Sequence, residues 1–154
     1  MLTDCPSPLV DLTLDRLRKA GQRRRECIVL WLGRRDGELI WVEDAYLPPQ
    51  AAKADMFHIS PMGMTALHAE LRRHRLMVAA QVHSHPREAF HSKADDRWAI
   101  VRHEGALSLV VPNFAIGTTA STFLDETRVY QFSALAQWIE VPRLDLEATC
   151  LRIS

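Results

Sequence analysis

Three nearly continuous apolar runs of strand length constrain the fold of this chain more than any other feature. They are ECIVLWLG, LMVAAQVH and ALSLVVP, at residues 26–33, 76–83 and 106–112. A strand with one solvated face alternates apolar and polar residues, whereas a strand buried on both faces is apolar at successive positions. The runs therefore predict buried strands.

Weaker patterns predict additional strands. Asp36-Gly37 is a turn signal, and it predicts a hairpin between the first apolar run and residues 38–47. Residues 128–132 (RVYQF) and 138–141 (WIEV) have the composition of short strands. The segment after Pro142 has no pattern that decides between helix and strand.

Helices are predicted between the strands. Ser7-Pro8 and Ser60-Pro61 are helix starts, because proline is favoured in the first turn of a helix, and Ser60 is also a residue type that caps helices. Ser92 is the predicted N-cap of a third helix over residues 93–102. Strands and helices in this non-alternating order predict an α/β fold, a sandwich around a mixed β-sheet flanked by helices. The length of 154 residues predicts a single domain over residues 1–154.

Composition excludes several classes of partner. Lys plus Arg and Asp plus Glu both number 19, so no net charge favours binding to nucleic acid or to a membrane surface. The three cysteines are far apart and form no CxxC pair, which indicates a reducing compartment and no cysteine-built zinc site. With no membrane-length apolar run and no signal-peptide pattern, the sequence predicts a cytoplasmic protein.

The stretch VHSHPREAFHSKADD, residues 82–96, concentrates groups that can bind a metal. His83 and His85 are two apart on an extended backbone, so their side chains point to the same side, and Pro86 favours that extended conformation at His85. Asp95 falls in the first turn of the predicted helix and can face both imidazoles. Two imidazoles and one carboxylate leave the fourth position of a zinc ion open. The alternative is a solvated loop in which Ser92 and Asp95 only cap the helix.

These residues resemble the signature of the JAMM (MPN-type) zinc isopeptidases, in which HxHP is followed by SxxD. Here the two elements are HSHP at 83–86 and SKAD at 92–95. The family also has an upstream glutamate on a strand that ends near a glycine, and Glu26 lies seven residues before Gly33. The resemblance covers residues 8–132 and implies a single-domain JAMM/MPN-type, cytidine-deaminase-like sandwich.

One departure from the family pattern leaves the identity of the carboxylate ligand open. Five residues separate Pro86 from Ser92, where the commonest family pattern has six. A different loop path would present Asp96 in place of Asp95. Asp95 is preferred because it keeps the three-residue step from Ser92 that places both side chains on one helical face.

The resemblance implies a role for each of these residues. His83, His85 and Asp95 would bind Zn²⁺, with a water as the remaining ligand. Glu26 would be the general base, and Ser92 would donate a hydrogen bond to the oxyanion of the intermediate. His91, next to Ser92, is interpreted as a solvated loop histidine, with a place in the lining of the cleft as the alternative. Other glutamates that could replace the base lie on the second strand, at positions 38 and 43.

The implied activity is zinc-dependent cleavage after the C-terminus of a ubiquitin-like protein joined to a lysine or to another chain. The implied partners are therefore the C-terminal tail of a ubiquitin-like protein and its conjugates. Segments 48–60 and 112–121, where larger members carry insertions, are short, as in bacterial members that resemble components of ubiquitin-like conjugation or antiphage operons. The alternative is a non-catalytic MPN-type scaffold. RRR at 23–25 is interpreted as a solvated connection, with contact to an acidic partner as the second possibility.

Overall fold

The structure, a computed structural model, describes residues 1–52, 57–93, 95 and 99–154. Strands and helices follow each other irregularly along this part of the chain. The strands are β1 (Leu2–Cys5), β2 (Ile28–Asp36), β3 (Leu39–Tyr46), β4 (Ala51–Ala52), β5 (Phe57–His58), β6 (Met77–Ser84), β7 (Leu107–Val111), β8 (Arg128–Phe132), β9 (Trp138–Glu140) and β10 (Leu151–Ile153). The helices are α1 (Ser7–Gly21), α2 (Pro61–His74), α3 (Phe123–Glu126) and α4 (Leu146–Thr149), with short 3-10 turns at Asn113–Ala115 and Arg143–Asp145.

Eight of these strands form one mixed sheet in the order β10-β1-β3-β2-β6-β7-β8-β9. β2 is antiparallel to β3 and to β6, while β6 and β7 are parallel. β1 is parallel to both β3 and β10, so strands from the two ends of the chain pair at one edge. β4 and β5 form a separate ladder. The three apolar runs of the sequence are therefore adjacent strands at the centre of the sheet.

Successive side chains of β2 pack into two different hydrophobic clusters. Trp31 belongs to the cluster that α1 covers, and its indole Nε1 donates a hydrogen bond of 2.9 Å to Thr13 of α1. Leu30 and Leu32 belong to the second cluster, together with Leu67 of α2. Burial on both faces is the reason that residues 27–32 are apolar at every position. The predicted α/β class with a mixed sheet is confirmed.

Most of the predicted elements are present, with small changes at their ends. α1, α2 and the six strands predicted from the apolar runs, the hairpin and the two weaker patterns are confirmed. Ser60 caps α2 as predicted, because its hydroxyl accepts a hydrogen bond of 3.1 Å from the backbone N–H of Gly63. The elements that were not predicted are β1, β4, β5, β10, α3 and α4.

The predicted helix over residues 93–102 is wrong at its C-terminal end. Lys93 and Asp95 are helical, but residues 99–102 are not, and positions 94 and 96–98 lie outside the described residues. The backbone N–H of Ile100 donates to the side chain of Gln81 on β6, at 2.8 Å. A strand side chain therefore takes the place of a helical carbonyl as its acceptor.

The longest helices of the described residues are α1, with 15 residues, and α2, with 14. Within the described ranges, no helix has the length and apolar composition needed to cross a membrane.

The C-terminal end of β6 lies between the start of β2 and the end of β7. His83 of β6 pairs with Ile28 of β2. The chain then continues beside β7, where the backbone N–H of His85 donates to the carbonyl of Val111 at 2.9 Å. The sheet therefore brings the residues that precede β2, including Glu26, close to those that follow β6.

Candidate metal centre

Two imidazoles and one carboxylate meet at the C-terminal end of β6. The Nε2 atoms of His83 and His85 each lie 3.2 Å from Oδ2 of Asp95. One ligand atom from each residue lies within 4.8 Å of the other two, and all three residues are at most 5% exposed. The structure therefore brings together the three residues predicted as metal ligands. Asp96, the alternative ligand, lies outside the described residues.

The backbone on both sides of His85 is held by neighbouring segments. Its N–H donates to Val111, and its carbonyl accepts from the N–H of Phe114 at 2.8 Å. The ring of Phe90 packs edge-on against the His85 imidazole, with ring centroids 4.8 Å apart. These contacts fix both the main chain and the ring plane of the histidine that follows the strand.

The turn at residues 113–115, which supports His85, has an unusual backbone. Asn113, Phe114 and Ala115 all have positive φ, at 52°, 51° and 62°. Left-handed backbone costs a residue other than glycine about 1–2 kcal/mol, so other contacts must offset the strain. Arg18 of α1 donates to the carbonyl of Ala115 at 3.0 Å, and the N–H of Asn113 donates to the carbonyl of Arg87 at 2.8 Å. α1 and the HSHP loop thus hold this turn between them.

Ser92 and Asp95 exchange two hydrogen bonds. The backbone N–H of Ser92 donates to Oδ2 of Asp95 at 2.7 Å, and the backbone N–H of Asp95 donates to Oγ of Ser92 at 3.0 Å. This is the reciprocal pattern of a capping box. It orients the carboxylate towards the imidazoles, so the capping role and the metal-binding role of Asp95 are compatible. The Ser92 hydroxyl uses a lone pair in this contact and retains its proton for another acceptor.

The electrostatics of the cluster favour positive charge beside a carboxylate. Burial acts to raise the pKa of Asp95, but hydrogen bonds from His83, His85 and the backbone of Ser92 outweigh it and hold that pKa well below its usual range. Burial acts to lower the pKa of His85, and the Asp95 hydrogen bond and charge, with the charge of Glu26, outweigh it and raise that pKa. Both shifts describe a site that keeps an ionised carboxylate and attracts a cation.

The other two residues predicted for the site line the same cleft. Glu26 is buried at 4% exposure, and with His85, Phe90 and Ser92 it forms part of the wall of a cleft of about 400 Å³. The cleft therefore contains the predicted base, the predicted oxyanion donor and one of the predicted metal ligands.

The alternative glutamates lie elsewhere. Glu43 is exposed and pairs with Arg34 at 3.0 Å. Glu38 is also exposed, and its carboxylate lies 3.7 Å from the amino group of Met1. Among the described residues of the cleft wall, Glu26 and Glu88 are the acidic ones, so neither Glu38 nor Glu43 is placed to act there.

His91 lies beside the candidate metal centre, with its ring centroid 6.4 Å from that of His83. It was interpreted as solvated, which is wrong: its side chain is half-buried and packs against the rings of Tyr130 and Trp138, at centroid distances of 4.9 and 5.3 Å. Its Nε2 lies 3.1 Å from Oγ of Ser108, which also accepts a hydrogen bond from Gln81. The sequence signal for this contact was the presence of Gln81 and Ser108, two polar residues within the apolar runs at 76–83 and 106–112.

The donor set fits a metal ion. Imidazole nitrogens with a carboxylate oxygen are ligands of divalent transition metals, and three protein ligands leave a coordination position for water or substrate. Burial removes competing bulk water, and the hydrogen bonds of Ser92 and Asp95 provide the outer contacts that orient such a ligand. The residues present are therefore sufficient for a metal site with one open position.

Comparison with known proteins agrees with this geometry. Residues 7–125 match the family described as prokaryotic homologs of the JAB domain. A protein of Sinorhizobium fredii named as a probable metalloprotease is 31% identical over 141 residues, which cover 89% of this chain and 85% of that protein. The solution structure of a Desulfitobacterium hafniense protein superposes with a TM-score of 0.70 at 18% identity, over 99% of this chain and 93% of that one.

Proposed function

This chain belongs to the prokaryotic JAB-domain, JAMM-type family, and from that premise we propose that it is a zinc-dependent peptidase. The observation that carries the proposal is the buried cluster of His83, His85 and Asp95, whose ligand atoms lie within 4.8 Å of one another. Zinc is the proposed metal because two imidazoles and one carboxylate, with one open position, are the ligand set of a catalytic zinc. Glu26 and Ser92 line the cleft at this cluster, which favours hydrolysis over a purely structural metal.

The chemistry follows from the positions of these side chains. Zinc held by His83, His85 and Asp95 would supply a water whose pKa is lowered towards neutrality. Glu26, a buried carboxylate in the cleft wall, accepts a proton from the attacking water and passes it to the leaving amine. The Ser92 hydroxyl donates a hydrogen bond to the carbonyl oxygen of the scissile amide, while its lone pair accepts from the backbone N–H of Asp95.

The proposed substrate is the C-terminal tail of a ubiquitin-like protein, cut from the lysine or chain to which it is joined. A cleft of about 400 Å³ accepts an extended segment and is too small for folded chain. Phe90, which is 51% exposed and lies against His85, offers an apolar contact to such a segment. The folded body of the substrate adds remote binding energy, so a short tail peptide alone is a poor substrate.

The test is incubation of the zinc-loaded protein with a panel of ubiquitin-like fusions, with the cut identified by intact mass. We expect one cut, immediately after the ubiquitin-like C-terminus, that is abolished by chelation. Cleavage of unstructured casein at many sites with the fusions intact would identify a general peptidase. Zinc binding without hydrolysis of any of these proteins would favour the scaffold alternative.

A further inference from the structure

A second cavity, of about 780 Å³, also has Glu26 in its wall. Its wall contains four cationic residues, which are Arg16, Lys19, Arg23 and Arg25. Among the described residues of this wall, Glu26 is the one acid, so the wall carries a formal excess of three positive charges. We call this space, with Arg16, Lys19, Arg23 and Arg25 in its wall, the basic cavity.

Two segments of the chain carry the cations of the basic cavity. Arg16 and Lys19 are three residues apart on α1 and therefore lie on the same helical face. Arg16 donates to the carbonyl of Ala45 at 2.6 Å, and this neutral partner positions the guanidinium. Arg23 and Arg25 follow in the connection to β2. The negative pole of α1 accounts for a cation in its last turn, but not for the two arginines beyond its end.

The opposite wall is held in place. Gln50 lies there with Leu47 and Pro48, and its side-chain amide accepts from the N–H of Ile28 at 2.8 Å and donates to the carbonyl of the same residue at 3.0 Å. These contacts tie the segment after β3 to the first residue of β2. The cavity is thus a formed space with cations on one side.

We propose that the basic cavity binds an acidic segment of the substrate, so that Asp or Glu within a few residues of the cut bond promotes binding. This rests on the proposed peptidase function. Glu26 belongs to the walls of both the cleft and the basic cavity, so the two spaces adjoin. An extended chain advances about 3.3 Å per residue, so a substrate held at the cleft reaches the basic cavity within a few residues. Complementary charge then sets the preference for acidic side chains.

The first experiment measures binding without cleavage. The peptide Ac-GEGEGEG-NH2 is titrated into the zinc-loaded protein and followed by NMR, with Ac-GQGQGQG-NH2 as the neutral match. We expect saturable shifts at Lys19, Arg23 and Arg25 and about five-fold tighter binding of the acidic peptide at low salt, as two exposed ion pairs give. High salt should remove the difference. Equal affinity for the two peptides would overturn the proposal.

Variants then test whether the charges act locally. Lys19→Glu combined with Arg23→Glu should abolish the preference for the acidic peptide. The matched control, Arg72→Glu with Arg73→Glu, makes the same change in net charge on the last turn of α2 and should keep it. An equal loss in both double variants would show a non-specific effect of net charge and would overturn the proposal.

The second experiment separates this proposal from the peptidase function. A library of ubiquitin-like fusions, randomised at the residues on both sides of the junction, is incubated with the wild type and with both double variants, and the cut sites are identified by mass spectrometry. We expect Asp and Glu to be enriched near the cut for the wild type and the control, and depleted for Lys19→Glu/Arg23→Glu. Cleavage without acidic enrichment overturns the basic cavity and leaves the peptidase. If no cleavage depends on Glu26, the result counts against the peptidase function. The peptide-binding experiment then still tests whether the basic cavity prefers acidic segments.

Discussion

Replacement of Gly21 by alanine tests the packing that supports the metal centre. Gly21 is the last residue of α1, and a Cβ added there would lie 2.4 Å from Cβ and 2.9 Å from Cγ of Phe114. Carbon atoms in favourable contact are about 3.5–4.0 Å apart, so the turn at residues 113–115 would have to move. That turn donates the N–H of Phe114 to His85, so the displacement reaches a predicted metal ligand.

The expected magnitude follows from two opposed effects. Alanine is favoured over glycine inside a helix by at most about 1 kcal/mol. Overpacking costs about 1–3 kcal/mol of stability. We expect a cost in the upper half of this range, because the Phe114 Cβ is fixed to the main chain and cannot rotate away. The net loss in free energy of unfolding is about 1–2 kcal/mol, which lowers Tm by about 2–8 °C for a domain of this size. Disturbed support of His85 should weaken zinc binding about ten-fold.

The assay is thermal unfolding of the metal-free chain, with zinc affinity measured by competition against a chromophoric chelator. Phe114→Gly supplies the matched background, because glycine lacks the clashing Cβ and tolerates the φ of 51° at this position. In that background Gly21→Ala should cost less than half of its effect in the wild type, which a double-mutant cycle reports as coupling. A Tm for Gly21→Ala at or above that of the wild type, with no coupling, would refute the close contact between α1 and the turn.

Two further predictions concern the metal ligand and the thiols. Asp95→Ala should lose most of the zinc, whereas the control Lys93→Ala, in the same helical turn, should keep it. Elemental analysis of both variants measures the zinc content. Retention of zinc in Asp95→Ala would show that another carboxylate binds the metal. Burial raises the pKa of Cys27 and of Cys150 to about 11, so both remain protonated at pH 8 and should react with iodoacetamide only as fast as the chain unfolds. Rapid alkylation of the native protein, followed by mass spectrometry, would show that these thiols are accessible.

The central strands were predictable because both faces of each are buried, and this leaves a continuous apolar run in the sequence. The strands at the edge were not. β1 contains Asp4, a carboxylate that is 1% exposed and accepts a hydrogen bond of 2.6 Å from Arg152 of β10. Residues 148 positions apart make this contact, and neither segment has a local pattern that identifies its partner. Such strands depend on tertiary pairing, which a local periodicity does not contain.

The convergence of His83 and His85 was predictable from the alternation of side chains along a strand, and the Ser92–Asp95 exchange from the spacing of a capping box. The contacts of His91 with Ser108 and Tyr130 were not, because three separate segments of chain meet there. The end of the helical segment also depends on a distant residue, Gln81, which binds the backbone of Ile100. The spacing of residues within one stretch therefore predicts the metal ligands. The contacts that hold these ligands in place join distant segments, and only the folded structure shows them.

The central claim is that Glu26 acts as a base beside a metal that it does not bind. The most direct measurement compares zinc content and turnover in Glu26→Gln, with Glu43→Gln as the control, on a fusion that the wild type cuts. We expect Glu26→Gln to hold about one zinc per chain with an unchanged fold and to lose at least about 100-fold in kcat, because the water proton then has no acceptor. Glu43→Gln should match the wild type, since its carboxylate pairs with Arg34 on the surface. Near wild-type cleavage by Glu26→Gln, or loss of its zinc, would contradict the assigned role.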